Sequence, residues 1–198
     1  YGMDFASNLS PNFEIHGEAA YVTDVSLLDV TPACKTRQEA PQDTFSYLAG
    51  LRYRTEGDFN VIAEYYYNGA GNSKAAQRQF YECVHRAWEA DDPDLLAGLP
   101  LKGDLDQGPL TKPNPMRRYV NLRAWWDEPN NLLYFVPAIQ VLYNLDDNSY
   151  SISPELNYDG IDDLSLRLRL TVPIGDPLTE WGEKPNDFKV EFRLRYYF

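Results

Sequence analysis

Apolar and polar residues alternate with a period of two along most of this chain, the signature of strands with unlike faces. Eight stretches carry it. In 13–23, Phe13, Ile15, Gly17, Ala19 and Tyr21 oppose Glu14, His16 and Glu18. In 45–54, Phe45, Tyr47, Ala49, Leu51 and Tyr53 oppose Ser46, Gly50, Arg52 and Arg54. In 59–68, Phe59, Val61, Ala63, Tyr65 and Tyr67 oppose Asn60, Glu64 and Asn68, and in 119–126 Val120, Leu122, Ala124 and Trp126 oppose Asn121 and Arg123. The stretch 133–144 sets Leu133, Phe135, Ile139, Val141 and Tyr143 against Gln140 and Asn144; 149–158 sets Tyr150, Ile152, Pro154, Leu156 and Tyr158 against Ser151, Ser153, Glu155 and Asn157. In 164–172, Leu164, Leu166, Leu168, Leu170 and Val172 oppose Ser165, Arg167, Arg169 and Thr171. The last, 188–198, sets Phe188, Val190, Phe192, Leu194, Tyr196 and Phe198 against Lys189, Glu191, Arg193 and Arg195. Pro137 and Pro154 fall inside two of these stretches, where proline removes a ladder donor.

The connections alternate as well. TEGD (55–58), DEPNN (127–131) and DGIDD (159–163) are short and rich in turn residues. The connections 24–44, 69–118 and 173–187 are long, with DDNS (146–149) the short exception. Short turns on one side and long loops on the other describe an up-and-down antiparallel meander.

Two barrels share that pattern: a soluble one with its apolar face inward around a ligand, and a membrane one with its apolar face toward lipid. Net charge is −12, and no run approaches the ~18–20 apolar residues of a membrane helix; membrane strands escape that test. The 15 Tyr and 9 Phe decide the matter by position. They gather at segment ends (Phe13 and Tyr21, Phe45 and Tyr53, Phe59 and Tyr67, Tyr150 and Tyr158), while Gly17, Ala19, Ala49, Val61, Ala63, Leu166 and Leu168 fill the middles. Two aromatic girdles around an aliphatic band suit a bilayer with two interfaces. The expected class is therefore all-β, a transmembrane antiparallel up-and-down β-barrel.

The terminal stretch FKVEFRLRYYF ends on Phe198, with apolar residues at 196, 194, 192, 190 and 188. It resembles the C-terminal signature of bacterial outer-membrane β-barrel proteins, whose last strand is read by the barrel-assembly machinery. The resemblance implies that Phe198, Tyr196 and Leu194 form the assembly signal, that the protein resides in the bacterial outer membrane, and that the C-terminus is periplasmic. Every short turn except DDNS then falls on the periplasmic side. YGMDF reads as the end of a further, descending strand that turns at SNLSPN. Eight complete strands plus that ninth make an odd number, so the expectation is the C-terminal portion of a larger barrel of ~12–18 strands, forming one domain over 1–198.

The polar row would line the lumen with Glu14, His16, Glu18, Arg52, Arg54, Glu64, Arg123, Glu155, Arg167, Arg169, Lys189, Glu191, Arg193 and Arg195. Basic residues outnumber acidic ones there, although Asp and Glu total 30 against 18 Lys and Arg overall, so the loops are acidic. One reading is a structural ladder in which Glu14, Glu155 and Glu191 neutralise neighbouring arginines; the other is a field selective for anions or carboxylates.

The long connection 69–118 carries Ala76, Phe80, Val84, Ala87 and Trp88 at helical spacing over 73–90, with Ser73 as cap and a second short helix in ADDPDLLAGL. It is expected to narrow the mouth, cover it, or pack on neighbouring loops. Cys34 and Cys83 fall in loops on the same side, so a disulfide between them is predicted, stabilising by ~2–4 kcal/mol. Asp91, Asp92, Asp94, Asp104 and Asp106 lack calcium-loop spacing, and His16 and His85 sit in neither metal nor triad spacing. No metal, cofactor, catalytic constellation or nucleic-acid partner is expected. The partners implied are the lipid bilayer, the assembly machinery, and further copies or another protein. The sequence thus points to a porin-like channel for small polar, in part anionic, solutes. The alternative is a barrel scaffold or conduit for a protein or secreted polymer, with a barrel enzyme the remaining class.

Overall fold

The computed structural model describes residues 1–99 and 114–198. Its frame is one antiparallel sheet of nine strands, each paired with its sequence neighbours in the sheet. In order these are β1 (Gly2–Ser10), β2 (Phe13–Val25), β5 (Gln42–Arg54), β6 (Phe59–Tyr67), β7 (Arg118–Trp126), β8 (Phe135–Asn144), β9 (Tyr150–Ile161), β10 (Leu164–Ile174) and β11 (Lys189–Tyr196). A separate ribbon, β3 (Leu28–Val30) with β4 (Thr36–Gln38), rises from the connection between β2 and β5. Two helices follow β6: α1 (Lys74–Glu89), capped by the Ser73 side chain, and α2 (Pro93–Gly98), capped by Asp92.

All eight alternating stretches are strands, and both prolines are taken up within β8 and β9, pairing Pro137 with Leu156 and Pro154 with Ile139. Several boundaries differ from expectation. The ninth strand continues past YGMDF: β1 spans Gly2–Ser10, leaving only Pro11 and Asn12 as the turn. β9 continues to Ile161, so its turn is Asp162–Asp163, with Asp163 at a positive φ of 59° that Asp tolerates. β8 begins at Phe135 rather than Leu133, because Glu128, Asn130 and Tyr134 adopt positive φ and the Tyr134 N–H donates to the Glu128 carboxylate at 3.0 Å.

The sheet is open, with β1 and β11 as its edges; the ring expected from the sequence is not closed by these strands. An antiparallel meander with an odd number of strands has its first and last strands running the same way. Direct closure would therefore impose a parallel pair where every other pair is antiparallel.

The sheet has one apolar and one polar face, as register requires. On the apolar face Leu51, Leu122, Ile139, Leu156 and Leu168 are each 40–49% exposed. Aromatic rings of neighbouring strands meet at both ends of that face. Phe59 lies edge-on to Trp126 and Phe135 lies 4.6 Å from Tyr158 near the short turns; Tyr47 stacks on Tyr67 and Tyr143 on Tyr150 near the loops. The compact apolar core lies instead among the loops, where Val30, Cys34, Phe80, Tyr81, Cys83 and Leu99 are buried together.

Candidate functional site

The register brings Glu14, Glu18, Arg52, Arg54, Glu64, Arg123, Arg167, Arg169, Arg193 and Arg195 to one face, as the alternation predicts. Two chains of contacts cross it. In the first, His16 reaches Glu64 at 3.1 Å, Glu64 accepts from Asn121 at 2.7 Å, and Asn121 accepts from Gln140 at 2.7 Å. His16 and Glu64 belong to strands separated by β5, and they meet only because Gly50 lies between them in register. A Cβ on Gly50 would stand 2.3 Å from the His16 ring and 2.9 Å from the Glu64 side chain.

The second chain is ionic and runs from β7 to β11. The Glu155 carboxylate, with its side chain 4% exposed, takes Arg123 at 3.3 Å and the Arg169 Nε at 2.7 Å, with Arg167 at 3.9 Å. Glu191 holds Arg167 at 3.4 Å, Arg193 at 3.2 Å and Lys189 at 3.8 Å. Burying one carboxylate costs less when several guanidinium donors satisfy its lone pairs. Arg123 crosses the width of β8 to reach Glu155, over Ala138.

Glu155 and Glu191 therefore act as the expected neutralising residues, but Glu14 does not. It lies 3.7 Å from His16, while Arg52 places its guanidinium 5.4 Å from the centre of the Trp125 ring. Arg123 shares that ring at 6.0 Å. Trp125 is thus a cation platform on the polar face, a role the alternation supports because it follows Arg123 by two residues. Arg54 pairs with Asp58 of its own turn at 2.6 Å. Glu18 stands opposite Asp4 and makes no ion pair among the described residues.

The loop-side end of the same face is covered. The segment 175–187 lies on it and carries Glu180, which is 2% exposed. Its carboxylate accepts from the Tyr119 hydroxyl at 2.7 Å and the Asn144 amide at 2.8 Å; its N–H donates to Asp147 at 2.7 Å. Burial raises the Glu180 pKa above the usual carboxylate range, against the lowering effects of Tyr119, Lys184 and Asn144. Asp147 also accepts from the Ser149 N–H and hydroxyl. The α1 helix packs behind this segment: Leu178 joins the loop core and His85 meets Glu183 at 2.6 Å.

The predicted disulfide is present, joining Cys34 beside the ribbon to Cys83 on α1. The helix expected at 73–90 is α1; Met116 of the same connection touches the polar face at Tyr119 and Asn144, and so does 175–187, which turn-rich PIGDPLTEWGEKPND did not reveal. Phe198, Tyr196 and Leu194 end the edge strand β11 region, all exposed. Asp104 and Asp106 lie outside the described residues; Asp91, Asp92 and Asp94 are near α2, where Asp92 is its cap. Among the described residues no group of three or more metal-type side chains is assembled. No protein-family model matches the chain, and neither does any curated protein or solved structure.

Proposed function

We propose that this sheet is wall of an outer-membrane β-barrel channel, its polar face toward a water-filled path for small polar, in part anionic, solutes. The observation carrying this reading is the contrast between the two faces of one sheet. The apolar side carries exposed large apolar residues on all nine strands, whereas soluble monomers rarely leave contiguous apolar patches above a few hundred Å² uncovered. The other side holds ionised groups in contact networks that need water or pairing. Strands of 8–13 residues suit a tilted crossing of the hydrocarbon layer, which takes about 9–11. Aromatic pairs at both ends of the apolar face suit its two interfaces.

In this reading the barrel closes with strands besides these nine, β11 with Phe198, Tyr196 and Leu194 guides assembly, and no covalent chemistry is performed. Selectivity comes from the arginines of the polar face, and the covered loop-side end is the constriction. The purified protein should give discrete conductance steps in planar bilayers, with a reversal potential in a KCl gradient displaced toward chloride. Absence of conductance, including after removal of 73–99, would sink the channel. A second reading, a scaffold that docks a partner, is favoured by Trp88, which stands 77% exposed on α1. A protein retained by wild type but lost from W88A would select it.

A further inference from the structure

Where β9, β10 and β11 meet near the short turns, Asn157, Ser165, Arg167, Arg193 and Arg195 line a half-open pocket of about 90 Å³. Register puts them there: Arg167 is directly opposite both Asn157 and Arg193, and Ser165 is opposite Arg195. Like charges facing each other across a ladder repel, and the local compensation is incomplete. Glu191 is shared by Arg167, Arg193 and Lys189, and Glu155 is already taken by Arg123 and Arg169. Arg195 has no carboxylate among the described residues and contacts only the Tyr197 hydroxyl, at 3.5 Å. The Arg167 Nε is buried without a partner. The Asn157 amide is spent on Glu155 at 2.9 Å, leaving the Ser165 hydroxyl as a neutral donor beside the guanidinium groups.

The geometry points to an oxyanion site: the Arg167, Arg193 and Arg195 guanidinium groups and the Ser165 hydroxyl take a phosphate or carboxylate group of a passing solute. A donor-rich pocket with surplus positive charge is satisfied by a ligand that only accepts, and guanidinium forks match both anions bidentately. The pocket's place on the polar face makes the anion a solute rather than a lipid headgroup, and in that respect the inference rests on the channel reading. It supplies that reading with a substrate class and a resting point on the side opposite the covered end.

The test is isothermal titration of inorganic phosphate, and separately of succinate, into the folded protein in detergent micelles at low salt. Saturable binding of either anion is expected, and which one binds distinguishes phosphate from carboxylate recognition. R195Q and R193Q should each weaken it about tenfold, the effect of losing one charge-assisted contact, with gel mobility and circular dichroism unchanged. R78Q, at an exposed position on α1 away from the polar face, should bind like wild type. Lack of saturable binding by both anions overturns the site, as does an R195Q titration matching wild type or equal weakening by R78Q. Saturable binding without bilayer conductance would keep the site and remove only the channel; conductance without saturable binding would do the reverse.

Discussion

At its loop-side end the polar face is sealed, with Tyr119, Asn144 and Ser149 buried and Glu180 surrounded by donors, whereas at the turn-side end Arg193 and Arg195 stand exposed beside Ser165. The same alternation builds both ends, so the difference comes from what lies on top. Where 175–187 excludes water, the sheet offers hydroxyls, amides and carboxylates in a closed set of hydrogen bonds, because an unpaired charge there would be costly. Where nothing covers the sheet, cations exceed carboxylates and water can hold the surplus. Acid gathers at one end and base at the other, giving the face a field along the strands.

The largest expected effect tests how far pairing holds the middle of that field together. Glu155→Ala strands Arg123, Arg167 and Arg169 around a vacated position and should destabilise by about 3–5 kcal/mol, read as a lower denaturant midpoint for loss of strand circular dichroism; a change within 0.5 kcal/mol would show that the ladder contributes little. Cys34→Ser should cost about 2–4 kcal/mol, but only at the sealed end. Proteolysis should open the ribbon and α1 while the strands stay protected, and a uniform loss of protection would contradict two separable regions.

Gly50→Ala should cost about 1–3 kcal/mol by driving His16 off Glu64, seen as a changed His16 imidazole resonance; an unshifted resonance would refute the close fit. The smallest effect concerns acidity at the covered end. Because burial raises the Glu180 pKa in the folded cap, the folded state binds its proton more readily than the unfolded chain does. Its stabilising contribution is complete below the unfolded value of about 4.3 and declines as pH rises through the folded one. Amide exchange in 175–187 should accelerate over that rise, and Glu180→Gln should flatten the dependence.

The sequence made the two faces legible because a period of two survives any uncertainty about pairing. It could not make the long-range contacts legible. Glu155 with Arg169 follows from a tight hairpin, but Arg123 reaches Glu155 across β8, and His16 reaches Glu64 across β5, whose alignment with β2 is set beyond a long connection. The ribbon of β3 and β4, with three residues to a strand, is too short to display any period. Glu180 sits among proline, glycine and charged residues that read as a solvated loop. The Cys34–Cys83 bond was accessible to reasoning because strand parity alone puts both loops on one side.

That bond has a mechanical consequence. The cysteines are 49 residues apart and bracket the hairpin of β5 and β6, so this stretch of chain is a covalent macrocycle with the hairpin inside it. Pulled from its ends, the oxidised molecule can never lengthen across that ring. Its fully extended trace should fall short of the reduced one by about 160–170 Å.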